Sequence, residues 1–173
     1  GAVAAPHQLC LGGGTELCLH ADKVVAHAET YMGLVEFGVG VIPGGGGSKE
    51  FAVRAAEWAA QSATPGEVFN FLQPAFLTIA MAKVAKSAVE AVDFGFAKPS
   101  DTILFNANEL LWVAIHEARA LADSGYAPPL MPREIPSHQR HHRTHHNRQT
   151  HIQRIRHITH HIRGDHIVVE QPH

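Results

Sequence analysis

Three consecutive glycines, Gly12-Gly13-Gly14, constrain this chain more than any other feature. Before them Gly1–Leu11 is small and apolar without a helical period, which predicts a buried strand. After them Thr15–Ala21 is short and almost wholly apolar, which predicts a helix. A strand that runs through unobstructed backbone into a helix turns N–H groups outward near the positive end of the helix dipole. That setting suits an oxyanion or a phosphate.

Downstream, Lys23-Val24-Val25-Ala26 is strand-like, and Glu29–Gly47 is a loop-rich stretch with seven glycines and one proline. Glycine at that density marks tight turns or close backbone approach. Ser48–Ser62 resumes a helical pattern through Phe51, Ala55, Trp58 and Ala59, and Glu67–Lys86 is mostly helical with a break expected at Pro74. Ser87-Ala88-Val89-Glu90 has the form of a capping box and opens a short helix that Gly95 ends. A turn is expected at Pro99-Ser100-Asp101. Asn106 with Glu109 starts a helix to about Ser124, ended by Gly125, with Leu110, Ala114, Ile115, Ala118, Leu121 and Ala122 on one apolar stripe. Tyr126–Pro136 is a proline-rich exit.

Charge then divides the chain. The net charge of -2 hides the division, because eleven of the 15 histidines follow Ser137, together with Arg140, Arg143, Arg148, Arg154, Arg156 and Arg163. Two parts are expected: residues 1–136, which can build a core, and a low-complexity His/Arg-rich tail over 137–173, which cannot. A near-neutral whole gives no reason to expect nucleic acid as a partner. No run approaches the roughly 18 apolar residues of a membrane span. The opening lacks a basic region and a cleavage site, so no signal peptide is expected, and a Gly at position one predicts a chain truncated at its start. Cys10 and Cys18 are too few and too far apart for a CxxC site. They are expected as small buried side chains in a reducing, cytoplasmic setting.

Two carboxylates stand beside the glycine segments. Glu16 follows the triple glycine, and Glu36 ends Tyr31-Met32-Gly33-Leu34-Val35-Glu36, just before Gly40-Val41-Ile42-Pro43-Gly44-Gly45-Gly46-Gly47. Such a pair could share general acid and general base roles. Blander readings stand beside that one: Glu16 as a first-turn residue that complements the helix dipole, and Glu36 as a solvated loop residue. Other motifs fail. Ser48-Lys49 reverses the order a phosphate-binding P-loop needs, Glu50 occupies the last glycine of a nucleophile elbow, and no GxGxxG follows a strand with a suitable acid downstream. No cofactor is therefore expected within this chain.

Taken together, Leu11-Gly12-Gly13-Gly14-Thr15-Glu16-Leu17, Met32-Gly33-Leu34-Val35-Glu36 and Gly40-Val41-Ile42-Pro43-Gly44-Gly45-Gly46-Gly47-Ser48 resemble the signature of the crotonase (enoyl-CoA hydratase/isomerase) superfamily. The wording of Ala28–Glu36 is most similar to the hydratase domain of bifunctional 3-hydroxyacyl-CoA dehydrogenase/enoyl-CoA hydratase proteins, and the resemblance runs from about Val3 to Pro136. It implies an α/β fold, a partial ββα superhelix followed by C-terminal helices, corresponding to the C-terminal half of the domain. It also implies a lyase of fatty-acid β-oxidation that adds water across the double bond of a trans-2-enoyl-CoA thioester. An isomerase of the same fold is the alternative within the superfamily. By the same resemblance, Glu16 and Glu36 are the catalytic pair and Gly13 supplies one oxyanion-hole amide. Gly44 and Gly45 belong to the loop beside water and substrate, and Tyr31, Met32 and Val35 line an acyl pocket. The substrate and partner implied is an acyl-CoA. NAD enters only if the parent protein carries a dehydrogenase domain, and the parent is expected to be a trimer-based homo-oligomer. The family's other oxyanion donor lies in an N-terminal half that this sequence lacks, so the chain by itself is expected to be inactive.

The tail departs from the family. Its i,i+4 pairs His141/His145, His142/His146 and His157/His161 could hold a metal if helical, which would make a metal-binding or basic interaction protein. The abrupt loss of apolar patterning points instead to a shifted reading frame after about codon 137.

Overall fold

The computed structural model describes residues 1–128. The chain opens with strands β1 (Val3–Ala4) and β2 (Leu9–Leu11) and then helix α1 (Gly13–His20). A second β–β–α turn follows: β3 (Lys23–His27), β4 (Tyr31–Gly33), a 3-10 turn at Glu36–Val39, and α2 (Gly47–Gln61). The second turn stacks on the first, with β3 beside β1 and β4 beside β2, both parallel. Helices α3 (Phe69–Ala80) and α4 (Ala88–Asp93) come next. Strand β5 (Thr102–Leu104) extends the first sheet in parallel on β3, and α5 (Leu110–Asp123) ends the described chain. This is the expected α/β architecture, a stack of ββα turns followed by helices.

Several local expectations change. The single strand expected over Gly1–Leu11 is two strands in two sheets. Pro6 offers no N–H to a ladder and Gln8 takes a φ of 54°, so the chain turns a corner between them. The segment around Tyr31 is a strand rather than a loop, because β2 offers it a partner in register, Cys10 opposite Met32. Helix α3 is not broken at Pro74. The ring removes one helical N–H, yet Phe71, Ala75 and Ile79 fall on one face against the core, and that packing carries the helix through. The Ser87 cap is half a capping box. Ser87 Oγ accepts from the Glu90 N–H at 3.1 Å, whereas the Glu90 carboxylate accepts from the Lys86 amide, one residue before the cap.

The main core gathers Leu19, Met32, Leu34, Phe51 and Phe96, with Phe51 and Phe96 in ring contact at 5.3 Å. A smaller cluster packs Leu110 and Ala114 of α5 on Val25. The expected stripe on α5 is buried only at those two positions, and Ile115, Ala118 and Ala122 are exposed. No helix among the described residues is long and apolar enough to cross a membrane. The expected boundary at Pro136 and the tail lie outside the described residues.

Candidate functional site

Glu16 lies one turn into α1 and is only 7% exposed. Among the described residues its carboxylate is held by backbone alone: Oε2 accepts from the Gly45 N–H at 3.0 Å and Oε1 from the Gly47 N–H at 2.9 Å. Gly47 is the first residue of α2, so Glu16 supplies from another helix the acceptor that α2 lacks at its own start, where the cap residue Gly46 has no side chain. The glycines are what allow this approach. A Cβ on Gly45 would collide with the Glu16 carboxylate, and one on Gly47 would lie 2.9 Å from Leu34 and 3.0 Å from Glu16 Oε1. A carboxylate offers about four lone-pair sites, so each oxygen keeps one for another donor.

Glu36 opens the 3-10 turn, half-buried, and its side chain reaches back to the triple glycine. A Cβ added to Gly12 would stand 3.3 Å from Glu36 Oε1, so absence of a side chain there admits the carboxylate. Gly12 is fixed from both sides. Its N–H donates to the Gly33 carbonyl at 2.8 Å and its carbonyl accepts from the Glu16 N–H at 3.0 Å, at a φ of 56° that favours glycine. The turn thus links the two acids, carrying the Glu36 carboxylate against Gly12 and the Glu16 backbone on its carbonyl. Glu36 Oε2 is buried with no hydrogen-bond partner among the described residues. A buried carboxylate oxygen without a donor is costly, and it calls for a water or a ligand.

Gly13, between Gly12 and Thr15, faces open space: nothing lies within 4 Å of where its Cβ would be. Among the described residues no acceptor takes its N–H. Thr15 sets the angle of this turn. It is fully buried, its hydroxyl accepts from the Gly33 N–H at 3.0 Å, and the Cys10 carbonyl lies within bonding reach. The role of Thr15 was missed from the sequence, where a small polar residue inside an apolar helix was the available signal.

The remaining expected positions scatter. Gly44 is exposed, and a Cβ added to it would meet only the Ile42 carbonyl, at 3.9 Å. Met32 is fully buried in the core, whereas Tyr31, its neighbour on β4, faces the other way and lines an open hollow of mixed polarity with His7, Leu9, His27 and Lys86. Val35 is half-buried at the turn into Glu36. An apolar cavity of about 230 Å³ starts at the next residue, Phe37, and is lined also by Ile42, Phe51, Leu72, Phe76 and Ile79. Those residues come from the glycine loop, α2 and α3, a convergence that no single stretch of sequence displays.

Beneath the site, Glu50 and Arg54 of α2 are buried at 1% and 4% exposure and approach to 3.8 Å. Arg54 also donates to the Leu19 carbonyl at 3.1 Å and to the Gly95 carbonyl at 2.7 Å. Among the described residues there is no group of three metal-ligating side chains, and His141, His142, His145 and His146 lie outside them.

Comparison with known proteins bears on the fold. No family model matches the chain. A Bacillus subtilis protein named "Probable 3-hydroxyacyl-CoA dehydrogenase" is 45% identical over 128 residues, 74% of this chain and 16% of that protein. Human mitochondrial methylglutaconyl-CoA hydratase is 51% identical over 47 residues, 27% of this chain and 14% of its own length. A Thermobifida fusca structure assigned as an enoyl-CoA hydratase superposes with a TM-score of 0.50 at 19% identity, covering 69% of this chain and 39% of that one. The chain therefore spans only a fraction of the length of each relative.

Proposed function

We propose, from the premise that this chain carries the crotonase-superfamily enoyl-CoA hydratase fold, that its site is the carboxylate half of a hydratase centre acting on trans-2-enoyl-CoA thioesters in fatty-acid oxidation. The observation that carries the proposal is the buried Oε2 of Glu36, without a partner among the described residues and held against Gly12, beside a Gly13 N–H that no described acceptor takes. A water bound there would donate one proton to Glu36 Oε2 and present its lone pair to the substrate's C3. Glu16, fixed by two amides, would sit on the other side of the turn and serve protonation at C2. That proton would come from the attacking water, so that its hydroxyl adds to C3 and its hydrogen to C2. The Gly13 N–H would take the thioester oxygen as enolate character develops, an interaction worth several kcal/mol when preorganised. Two acids favour hydration over double-bond migration, which one could serve. The cavity that begins at Phe37 supports placing the acyl chain there, since Met32 is closed inside the core.

The same reading makes the chain one part of a longer enzyme, joined to a dehydrogenase and assembled with further copies. Replacing the matching segment of the Bacillus subtilis relative with residues 1–128 tests the site. The chimera is expected to hydrate crotonyl-CoA, and Glu16→Gln or Glu36→Gln in it to lower kcat by about 10²-fold or more. A chimera that hydrates equally well with both glutamates changed would end this reading.

A further inference from the structure

Two side chains beside the site take no part in the carboxylate chemistry. Cys10 on β2 and Cys18 on α1 flank the glycine turn, and their sulfurs lie 3.6 Å apart. Both thiols are free, Cys18 buried and Cys10 half-exposed. We propose that Cys10 and Cys18 are a hydroperoxide-sensitive thiol pair that closes to a disulfide across Gly12-Gly13-Gly14.

Placement assigns the roles. Cys10 is the more exposed residue of the pair, partly buried against the core, whereas Cys18 is 4% exposed, which makes Cys10 the first to meet a peroxide. A hydrogen bond from the Cys18 thiol favours the Cys10 thiolate and lowers its pKa, against the opposing effect of burial and with further help from Thr15. The shared proton and burial push the Cys18 thiol up, so it stays protonated until Cys10 has reacted. The Cys10 thiolate attacks the peroxide, an S–O bond forms as the O–O bond breaks, and the alcohol or water leaves with a proton. Sulfur has then lost two electrons to give a sulfenic acid, and the peroxide has gained them. Attack by Cys18 on that sulfur forms the S–S bond, breaks the S–O bond and releases water, which carries off the Cys18 proton.

Closing the gap to a bond length of about 2.05 Å needs roughly 1.5 Å of movement. The intervening backbone can give. The turn between the two cysteines is three glycines, and a Cβ added to Gly13 would meet nothing within 4 Å. β2 is held to β4 by its ladder, and α1 by Thr15, Glu16 and Arg54, so closure would load the glycine turn between them, which carries the Gly13 amide and leads into Glu16. Oxidation would thereby shift the Gly13 amide relative to Glu36.

The 173-residue chain is treated with one equivalent of hydrogen peroxide, quenched with iodoacetamide and weighed intact. The expected result is a loss of about 2 Da with both thiols closed to alkylation, reversed by dithiothreitol. Without peroxide, Cys10 should alkylate about tenfold faster than Cys18. In Cys18→Ser, Cys10 should stop at a sulfenic acid that dimedone captures, and in Cys10→Ser, Cys18 should stay reduced. Two alkylatable thiols after peroxide, disulfide-linked dimers in place of the internal bond, or equally fast alkylation of the two cysteines would each overturn the proposal.

Discussion

Helices α1 and α5 differ in a way that their sequences conceal. The shorter one, α1, encloses Thr15, Glu16, Cys18 and Leu19, and each polar group among them has a named backbone partner or a neighbouring sulfur. The longer one, α5, has the cleaner apolar stripe, yet it buries Leu110 and Ala114 and leaves Leu111, Trp112 and Ile115 exposed. Burial follows from what stands opposite a residue rather than from its own hydropathy. A carboxylate goes inside where two amides wait for it, and an isoleucine stays outside where none of the described residues covers it.

That contrast can be broken most directly at Gly45. Gly45→Ala drives a methyl into the Glu16 carboxylate and is expected to cost about 2–3 kcal/mol in urea unfolding. Much of that loss should return in the Glu16→Ala background, because the two positions meet. Glu16→Ala alone strands the Gly45 and Gly47 amides, for a cost of about 1–3 kcal/mol. Glu36→Gln tests the opposite case. Its Oε2 has no partner to lose among the described residues and the buried charge is costly, so stability should hold or rise by up to about 1 kcal/mol while catalysis in the chimera falls. On α5, Ile115→Glu should stay within about 0.5 kcal/mol, and a larger loss would mean that the exposed stripe is covered in solution.

The smallest effect concerns Asp22. Its carboxyl sits below the usual range because the Tyr126 hydroxyl and then the Ala2 amide donate to it. A depressed carboxyl stabilises the folded state at neutral pH, and that contribution fades as pH falls through the lowered value. The gap in melting temperature between the native chain and Asp22→Asn should therefore close on acidification below about pH 4. A gap that widens there would reverse the sign and contradict the contacts.

Sequence patterns located the elements well where a local rule applied. The run from Gly13 through Val24, the Ser87 cap and the Gly95 and Gly125 stops at φ 82° and 70° are local events governed by a few neighbouring residues. What sequence concealed was set across the fold. Nothing near Tyr31 says that β2 lies alongside, and nothing near Glu16 says that Gly45 and Gly47 will reach it from 29 and 31 positions away. The neighbourhood of Glu36 and Gly12 could be suspected only from the resemblance, because the contact rests on an absent side chain. The cavity at Phe37 was invisible for the same reason, being assembled from a loop and two helices.

Arg54 has a consequence of its own. Its guanidinium ties down the carbonyls of Leu19 and Gly95, the trailing ends of α1 and α4, with two separate nitrogens. A flat, forked cation can clasp two such ends at once, whereas the single ammonium of lysine would have to choose between them. One side chain on α2 therefore acts as a rivet joining three helices, and the angle at which α1 carries its glutamate is tied to a position 38 residues further along the chain.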